Sequence, residues 1–271
     1  MNDATAGATG ADDRWAAGDA YELYMGRWSR AMAQTFLGWL VPAPHGHWLE
    51  VGCGTGALTS SICALASPAS LTACDQSAPF IEHASRSLTD ARVSFVHATG
   101  DALPTRATGF DVIVSGLVLN FIPEPSPVLA AMRQRLCPGG VVAAYLWDYR
   151  GGVDLLQHFW QEAAELDPQA ATLDESRRFH AWQAPFVTAL FTATGLTDVV
   201  CTALTIPTVF ASFDDYWQPF LGGTGPAPSH VASLTPRQRE TLAERLRARL
   251  PTAADGSIPL KARAFAVRGR G

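Results

Sequence analysis

Five short apolar runs alternate with segments of helical spacing between residues 47 and 148, and this alternation constrains the fold most. The runs are "HWLEVG", "SLTACD", "RVSFVHA", "FDVIVSG" and "GVVAAYLWD". Predicted helices over 57–67, 78–89 and 127–136 lie between them. Repeated strand–helix–strand units form right-handed crossovers and a parallel sheet, and apolar strands suit a sheet covered on both faces. The sequence therefore predicts an α/β fold, Rossmann-like, with helices on both faces of a mostly parallel sheet.

The remaining chain adds segments at both ends of this alternation. Residues 1–13 are small, polar and acidic, which predicts a disordered tail. A helical segment follows over 14–44, and the main domain is predicted over 45–271 with insertions at about 150–185 and 211–255. Within the main domain, 197–210 and 256–269 have the pattern of two further strands. An amphipathic helix is predicted to begin near Thr235, and its apolar face contains Leu242, Leu246 and Leu250.

Composition excludes several classes of partner. A formal net charge of -5 argues against a general electrostatic hold on nucleic acid. The five cysteines are odd in number and lack a C-x-x-C pair, so we predict reduced thiols with no disulfide frame and no metal site. The N-terminus lacks a secretory signal and no apolar run has the length of a membrane span. We therefore expect a cytoplasmic protein without a membrane partner, as a monomer or homodimer.

The stretch "WLEVGCGTGALT" is a glycine-rich turn between a strand and a helix, and its spacing permits two ligands. Gly52, Gly54 and Gly56 form G-x-G-x-G, which suits an S-adenosylmethionine loop. Gly52, Gly54 and Ala57 also satisfy the G-x-G-x-x-G/A fingerprint of a nicotinamide or flavin site. In both cases the glycines let the backbone turn sharply and approach the ligand. The spacing by itself does not choose between them.

Glu50, two residues before Gly52, favours S-adenosylmethionine. A pyrophosphate on this turn would face a carboxylate, and two like charges about 4 Å apart repel by roughly 4 kcal/mol at an effective dielectric near 20. S-adenosylmethionine instead brings an ammonium and a sulfonium to the same region. Asp75, at the end of the second run, can accept hydrogen bonds from ribose hydroxyls in either family. Asp101, after the third run, could receive the adenine amine.

Together, "LEVGCGTG", "ACDQS", "GDALP", "FDVIVSGLVLNF" and "LCPGG" occur in order between Trp48 and Asp148. In this order they resemble the class I S-adenosylmethionine-dependent methyltransferases, of the group that includes ubiquinone-biosynthesis-type and small-molecule methyltransferases. The resemblance implies seven strands, with the last antiparallel and inserted beside the sixth. One departure is Asn120, at or next to a position where the family often has histidine.

The resemblance also implies roles for individual residues, and it makes 14–44 a lid over the cofactor. Tyr24 and Arg27 would belong to the lid, with Arg27 either on the methionine carboxylate or in solvent. The other implied cofactor contacts are Glu50 before the loop, Gly52, Cys53, Gly54 and Gly56 at the methionine moiety, Asp75 and Gln76 at the ribose, Asp101 and Ala102 at the adenine, and Ser115 or Gly116 beneath the sulfonium.

An acceptor pocket is expected above the carboxyl ends of the strands. The catalytic candidates are Asp148, Tyr149 and His158, and the pocket candidates are Trp147, His180, Tyr216 and Trp217. Alternatives remain for several of these: Asp148 could cap a helix that starts near Gly152, and a lone histidine is more often a surface or hydrogen-bonded side chain than a base.

The expected activity is methyl transfer from S-adenosylmethionine to a small-molecule acceptor, mainly by proximity and orientation, with S-adenosylhomocysteine as product. A protein of this fold could also bind S-adenosylmethionine for a non-methylating reaction or as a scaffold. A nicotinamide-dependent oxidoreductase is disfavoured by Glu50. Nucleic-acid methylation is disfavoured because "SGLVLNF" replaces the [DNS]-P-P-[YF] run. Protein methylation has no short signature and stays open.

Overall fold

The computed structural model describes residues 22–223 and 225–271, and their central element is a seven-stranded sheet of order β3-β2-β1-β4-β5-β7-β6. The strands β1 to β5 run parallel, and β7 is antiparallel to both of its neighbours, β5 and β6. This arrangement confirms the predicted Rossmann-like sheet with its last strand antiparallel. The strand bounds are β1 His47–Val51, β2 Ser70–Asp75, β3 Val93–His97, β4 Phe110–Gly116, β5 Leu136–Trp147, β6 Thr197–Phe210 and β7 Ile258–Arg270.

Helices connect the strands and cover the sheet. The α-helices are α1 Arg27–Leu40, α2 Ala57–Leu65, α3 Ala78–Ser87, α4 Pro125–Gln134, α5 Asp154–Leu166, α6 Glu175–Arg178, α7 Ala184–Ala193, α8 Phe213–Trp217, α9 Pro226–Ser233 and α10 Pro236–Arg249. A π-helical segment, Glu22–Gly26, precedes α1, and short 3₁₀ turns occur at Leu119–Phe121, Pro168–Thr172 and Gln218–Gly222. No described helix is both long and apolar enough to cross a membrane.

The side-chain alternation along the strands separates two buried clusters, one on each face of the sheet. On β5, Ala143 and Tyr145 belong to one cluster, whereas Val142 and Ala144 belong to the other. The first cluster also receives α1, α2, α5 and α10. The second receives α4 and α7. Burial on both faces explains why the central strands read as continuous apolar runs.

Helix α10 begins next to the predicted residue, Thr235, and local sequence features explain its start. The Thr235 hydroxyl accepts from the Gln238 backbone N–H, and the Gln238 side chain accepts from the Thr235 N–H, so a capping box begins the helix. Pro236 occupies its first turn, where a missing N–H costs nothing. Leu242 and Leu246 are fully buried against the first cluster, as the periodicity predicted.

The start of β5 differs from the prediction. The fifth apolar run was predicted as "GVVAAYLWD", but β5 begins four residues earlier, at Leu136, and contains the "CPGG" segment. Pairing with β4 shifts register between Phe110 and Val112, and Gly139 takes a positive φ of 78° there. The glycines are absorbed as a bulge at the beginning of the strand rather than as a separate turn.

The insertion at 211–255 packs onto α5 instead of remaining a free loop. Glu162 on α5 is almost fully buried and accepts from Arg245 at 2.8 Å, with Arg249 3.3 Å away. A buried carboxylate needs such partners, because an unpaired charge in the interior is strongly unfavourable. These ion pairs hold the insertion against the sheet.

Candidate functional site

A cavity of about 710 Å³ lies at the carboxyl ends of β1, β2, β4 and β5. This volume is in the range of small-molecule and cofactor pockets. Within the described ranges 22–223 and 225–271, four acidic side chains and one basic side chain line it: Glu50, Asp75, Asp101, Glu175 and Arg178. The cavity wall is therefore acidic, which suits a cationic ligand and would repel a pyrophosphate.

The glycine loop joins β1 to α2 and forms one wall of the cavity. Gly52, Gly54 and Gly56 have positive φ values of 78°, 53° and 91°. A Cβ on Gly52 would lie 2.6 Å from a Val118 methyl group, so the loop and the segment after β4 require a glycine there. Around Gly54 a Cβ would meet nothing within 4 Å, and this residue borders the open cavity.

Glu50 places a buried carboxylate beneath the loop. Its exposed fraction is 1%, and the Thr59 hydroxyl donates to its Oε2 at 2.7 Å. Burial raises the pKa of Glu50 to about 8, and the Asp75 charge adds to the increase. Near neutral pH this side chain holds a proton unless a cation stabilises its charged form.

Asp75 connects the end of β2 to two loops. Its Oδ2 accepts from the Gly54 N–H at 2.9 Å, and its Oδ1 accepts from the Ser77 N–H at 2.8 Å. Burial raises the pKa of Asp75, although these backbone donors oppose the increase. Each carboxylate oxygen has a further lone-pair direction. Asp75 can therefore hold the loops in place and still accept from ligand hydroxyls.

Most of the residues predicted to contact the cofactor lie on the cavity wall. They are Tyr24, Glu50, Gly52, Cys53, Gly54, Asp75, Gln76, Asp101 and Gly116. Gly56, Ala102 and Ser115 do not line the cavity. Gly56 is the N-cap of α2, the Ala102 N–H donates to the Thr99 carbonyl, and Ser115 is 1% exposed within β4.

Arg27 was predicted either to meet a methionine carboxylate or to lie in solvent. It does not line the cavity, and its partly exposed side chain is paired with Asp215. Its guanidinium donates to both carboxylate oxygens of Asp215, at 2.9 and 3.0 Å. It also lies 4.4 Å from the Trp28 ring centroid and 4.7 Å from that of Phe210. A bidentate ion pair and two cation–π contacts make Arg27 a link between α1 and the insertion.

The segment 14–44 was predicted as a lid, and residues 14–21 of it lie outside the described residues. From Glu22 onward, the segment approaches the glycine loop. The Glu22 carboxylate accepts from the Thr55 hydroxyl at 2.5 Å, and Arg30 donates to its other oxygen. Tyr24 is 3% exposed and lines the cavity. The π-helical segment over 22–26 thus brings a tyrosine to the cavity and a carboxylate to the loop, in keeping with the frequent occurrence of π-helical turns at functional sites.

At the end of β5, Trp147 and Tyr149 line the cavity, but Asp148 does not. The Asp148 carboxylate is 1% exposed and accepts from Arg263 at 2.8 Å. Its other oxygen accepts from the Gln183 amide at 3.1 Å. Helix α5 begins six residues later without a side-chain cap, so the helix-capping alternative is wrong as well. Asp148 therefore links the end of β5 to β7 through Arg263.

Four other predicted residues lie away from the cavity, and each has a packing reason. His158 is half-buried on α5, where desolvation lowers its pKa. The exposed His180 ring contacts the Arg177 carbonyl at 2.8 Å. Tyr216 is fully buried and donates to the Leu155 carbonyl at 3.1 Å. Trp217 stacks on Phe213 in the core. The aromatic insertion is therefore core, not pocket.

The sequence did not predict several residues of the cavity wall, and one of them, Glu175, is ionisable. It lies on the short helix α6, is 4% exposed and accepts from the Trp160 indole N–H. Nothing in the segment "TLDESRRFH" distinguishes it from the neighbouring acidic residues. Thr99 and Gly100 also line the cavity, and their place beside Asp101 in "HATGDALP" was an available signal.

Comparison with known proteins matches part of the chain to a protein family. Residues 49–144 match the model of a methyltransferase domain. A malonyl-[acyl-carrier protein] O-methyltransferase of Xylella fastidiosa is 32% identical over 117 residues, 43% of this chain and 40% of the relative. A demethylmenaquinone methyltransferase of Clavibacter sepedonicus is 38% identical over 93 residues, 34% and 37% of the two chains. Residues 49–144 thus match a methyltransferase domain, and the two relatives matched in part are named as methyltransferases.

Solved structures support the fold of this methyltransferase domain and its surroundings. Phosphoethanolamine N-methyltransferase 2 of Haemonchus contortus, solved with S-adenosyl-L-methionine, is 15% identical and aligns with a TM-score of 0.56 over 93% of this chain and 56% of its own. NodS of Bradyrhizobium japonicum, an N-methyltransferase solved with S-adenosylhomocysteine, is 16% identical with a TM-score of 0.50 over 96% and 93%. The curated relatives named above are matched over less than half of their own length.

Proposed function

We propose that this protein transfers the methyl group of S-adenosylmethionine to a small-molecule acceptor and releases S-adenosylhomocysteine. The observation that carries the proposal is one cavity lined by the glycine loop, by buried Glu50 and by several aromatic side chains. The methyltransferase family match over 49–144 supports the reaction type. The names of the relatives include O- and N-methyltransferases, so they do not specify the acceptor atom.

The residues present fit S-adenosylmethionine. Ionised Glu50 would attract its positive groups, Asp75 would accept from its ribose hydroxyls, and Asp101 would approach its adenine. Gly54 leaves the loop open for close approach of the ligand. The acidic wall also disfavours the nicotinamide alternative, because a pyrophosphate would lie among carboxylates.

When bound, the cofactor supplies an electrophilic methyl group on sulfur. The chain's task is then to hold an acceptor atom in line with that methyl group and to exclude water. Trp147 and Tyr149 line the acceptor end of the cavity with ring surface. Tyr24 lines it from the lid side, so an acceptor bound there would be enclosed between the lid and the strand ends.

Titration calorimetry with S-adenosylmethionine, S-adenosylhomocysteine and NAD⁺ in separate runs tests the cofactor. Micromolar binding of both adenosyl ligands without NAD⁺ binding is expected, and binding of NAD⁺ alone would refute the proposal. Release of S-adenosylhomocysteine with an acceptor panel then distinguishes methyl transfer from a scaffold role. A protein that binds S-adenosylmethionine without releasing the product with any small acceptor is not the proposed enzyme.

A further inference from the structure

The acceptor end of the cavity contains a buried carboxylate, Glu175. It belongs to α6, whose first turn is capped by Asp174 accepting from the Ser176 N–H at 2.7 Å. One Glu175 oxygen, Oε2, accepts from the Trp160 indole, and the side chain lines the cavity. Glu175 is therefore a nearly buried carboxylate on the wall of the cavity.

Tyr24 lines the same end of the cavity from the lid side. Its hydroxyl is buried and has no hydrogen-bond partner among the described residues. Burial raises the pKa of Tyr24, and the Glu175 charge contributes a further increase, which places the carboxylate within electrostatic range of the phenol. A buried hydroxyl without a partner is unfavourable, and a ligand atom could supply the missing hydrogen bond.

Ring contacts fix α6 over the strand ends. The Phe179 ring, just after α6, lies 5.0 Å from Tyr149 and 5.1 Å from Phe121, the residue that ends the turn after β4. The Arg178 guanidinium lies 4.9 Å from Phe179 and 5.8 Å from Phe121. Glu175 is therefore held by the same aromatic group that forms the acceptor wall, so its position is set by packing on β4 and β5.

We propose that Glu175 is the general base that takes the proton of a hydroxyl on a flat aromatic acceptor, with Tyr24 hydrogen-bonded to the same acceptor oxygen. This inference rests on the proposed function. A hydroxyl both donates and accepts, so it matches a carboxylate acceptor on one side and a phenol donor on the other. A protonated amine only donates, and it would leave the Tyr24 donor unpaired. The aromatic wall favours a ring as the body of the acceptor.

The acceptor O–H bond breaks and its proton passes to the Glu175 carboxylate. The acceptor oxygen forms a bond to the methyl carbon, and the carbon–sulfur bond breaks with its electron pair remaining on sulfur. The products are a methyl ether, S-adenosylhomocysteine and protonated Glu175, which returns its proton to solvent when the product leaves.

The test uses the 271-residue protein saturated with S-adenosylhomocysteine and two matched probes, 4-nitrophenol and 4-nitroanisole. In 4-nitroanisole a methyl group replaces the hydroxyl proton, and binding is measured below the pKa of 4-nitrophenol, so that this probe keeps its proton. Wild type is expected to bind 4-nitrophenol at least tenfold more tightly than 4-nitroanisole. Glu175→Gln is expected to lose that preference while its 4-nitroanisole affinity stays unchanged. Glu165→Gln makes the same substitution at a half-exposed ion pair with Arg245 on the outer face of α5, and it should behave as wild type.

Tyr24→Phe is the second variant, for the case in which Glu175→Gln does not fold. It should also lose most of the preference for 4-nitrophenol. With S-adenosylmethionine and phenolic acceptors, the pH dependence of kcat should disappear in Glu175→Gln, a change that a merely structural role would not produce. Equal binding of the two probes by wild type, tighter binding of benzylamine than 4-nitrophenol, or unaltered selectivity in both variants would overturn the inference. If wild type fails to bind S-adenosylmethionine, the proposed function itself is wrong.

Discussion

The substitution Glu50→Gln tests the cofactor site most sharply, because it removes the ionisable group and keeps the shape of the side chain. A carboxylate and a cation about 4 Å apart attract by roughly 4 kcal/mol at an effective dielectric near 20, a factor of about 900 in affinity. Only the ionised fraction of Glu50 provides this attraction. Since burial raises the pKa of Glu50 to about 8, that fraction is small in the free protein at neutral pH.

The pH dependence follows from that ionised fraction. With a pKa of about 8, Glu50 is about 1% ionised at pH 6 and about 24% ionised at pH 7.5. The affinity of wild type for S-adenosylmethionine should therefore exceed that of Glu50→Gln by about 10-fold at pH 6 and about 200-fold at pH 7.5. Taking the ratio of the two proteins cancels any titration of the ligand itself.

Calorimetry at both pH values, in buffers of different ionisation heat, measures this ratio and the proton that Glu50 releases on binding. Proton release should be present in wild type and absent in Glu50→Gln. The same substitution should stabilise the free protein. The pKa of Glu50 is higher folded than unfolded, so its contribution to stability is full below pH 4.5 and is lost as pH rises toward 8.

At pH 7 this loss amounts to roughly 3 kcal/mol, which Glu50→Gln would avoid. Thermal unfolding without ligand should therefore show a higher Tm for Glu50→Gln at pH 7.5 and a smaller difference at pH 5. A ratio of affinities that stays constant between pH 6 and 7.5, together with equal Tm values, would refute the assignment of a protonated, cation-binding Glu50.

Two further substitutions separate the loop from the structural ion pair. Gly52→Ala should abolish cofactor binding and lower the free energy of unfolding by about 1–3 kcal/mol, because its Cβ would lie 2.6 Å from Val118. A Cβ on Gly54 would meet nothing within 4 Å, so Gly54→Ala should lower the free energy of unfolding, measured in urea, by less than Gly52→Ala. Asp148→Ala should lower the free energy of unfolding by about 2 kcal/mol, since it breaks a buried network whose Arg263 is partly solvated. Calorimetry should show an unchanged affinity for S-adenosylmethionine. A large loss of affinity would show that Asp148 contributes to the binding site.

The cofactor half of the site was predictable from the sequence because its residues follow the ends of successive strands. Parallel strands carry their carboxyl ends to one edge of the sheet, so Glu50, Asp75 and Asp101 had to approach each other once the alternation was recognised. The glycine positions followed from backbone geometry alone, since positive φ and close contact with Val118 exclude a Cβ at Gly52. These requirements are local or topological, so they can be recognised from the spacing of residues in the sequence.

The acceptor half depended on tertiary partners that no spacing specifies. Asp148 follows a strand end as a catalytic residue would, yet Arg263 on β7, 115 positions later, pairs with its carboxylate. Arg27 is similarly paired with Asp215 from the insertion. In both cases the sequence supplied a charge, and the chain returning from a distant segment decided its partner.

The sequence by itself determined the fold class, the apolar runs that become strands and the glycine loop on the cavity wall, because each depends on periodicity, glycine or strand ends. Only the tertiary structure decided which aromatic residues became core and that Glu175 lines the cavity. Tyr216 was buried by packing, whereas Glu175 was carried to the cavity by the contacts of Phe179 with Tyr149 and Phe121. Burial and long-range pairing are properties of the folded whole, and they fix the chemistry of side chains that look alike in sequence.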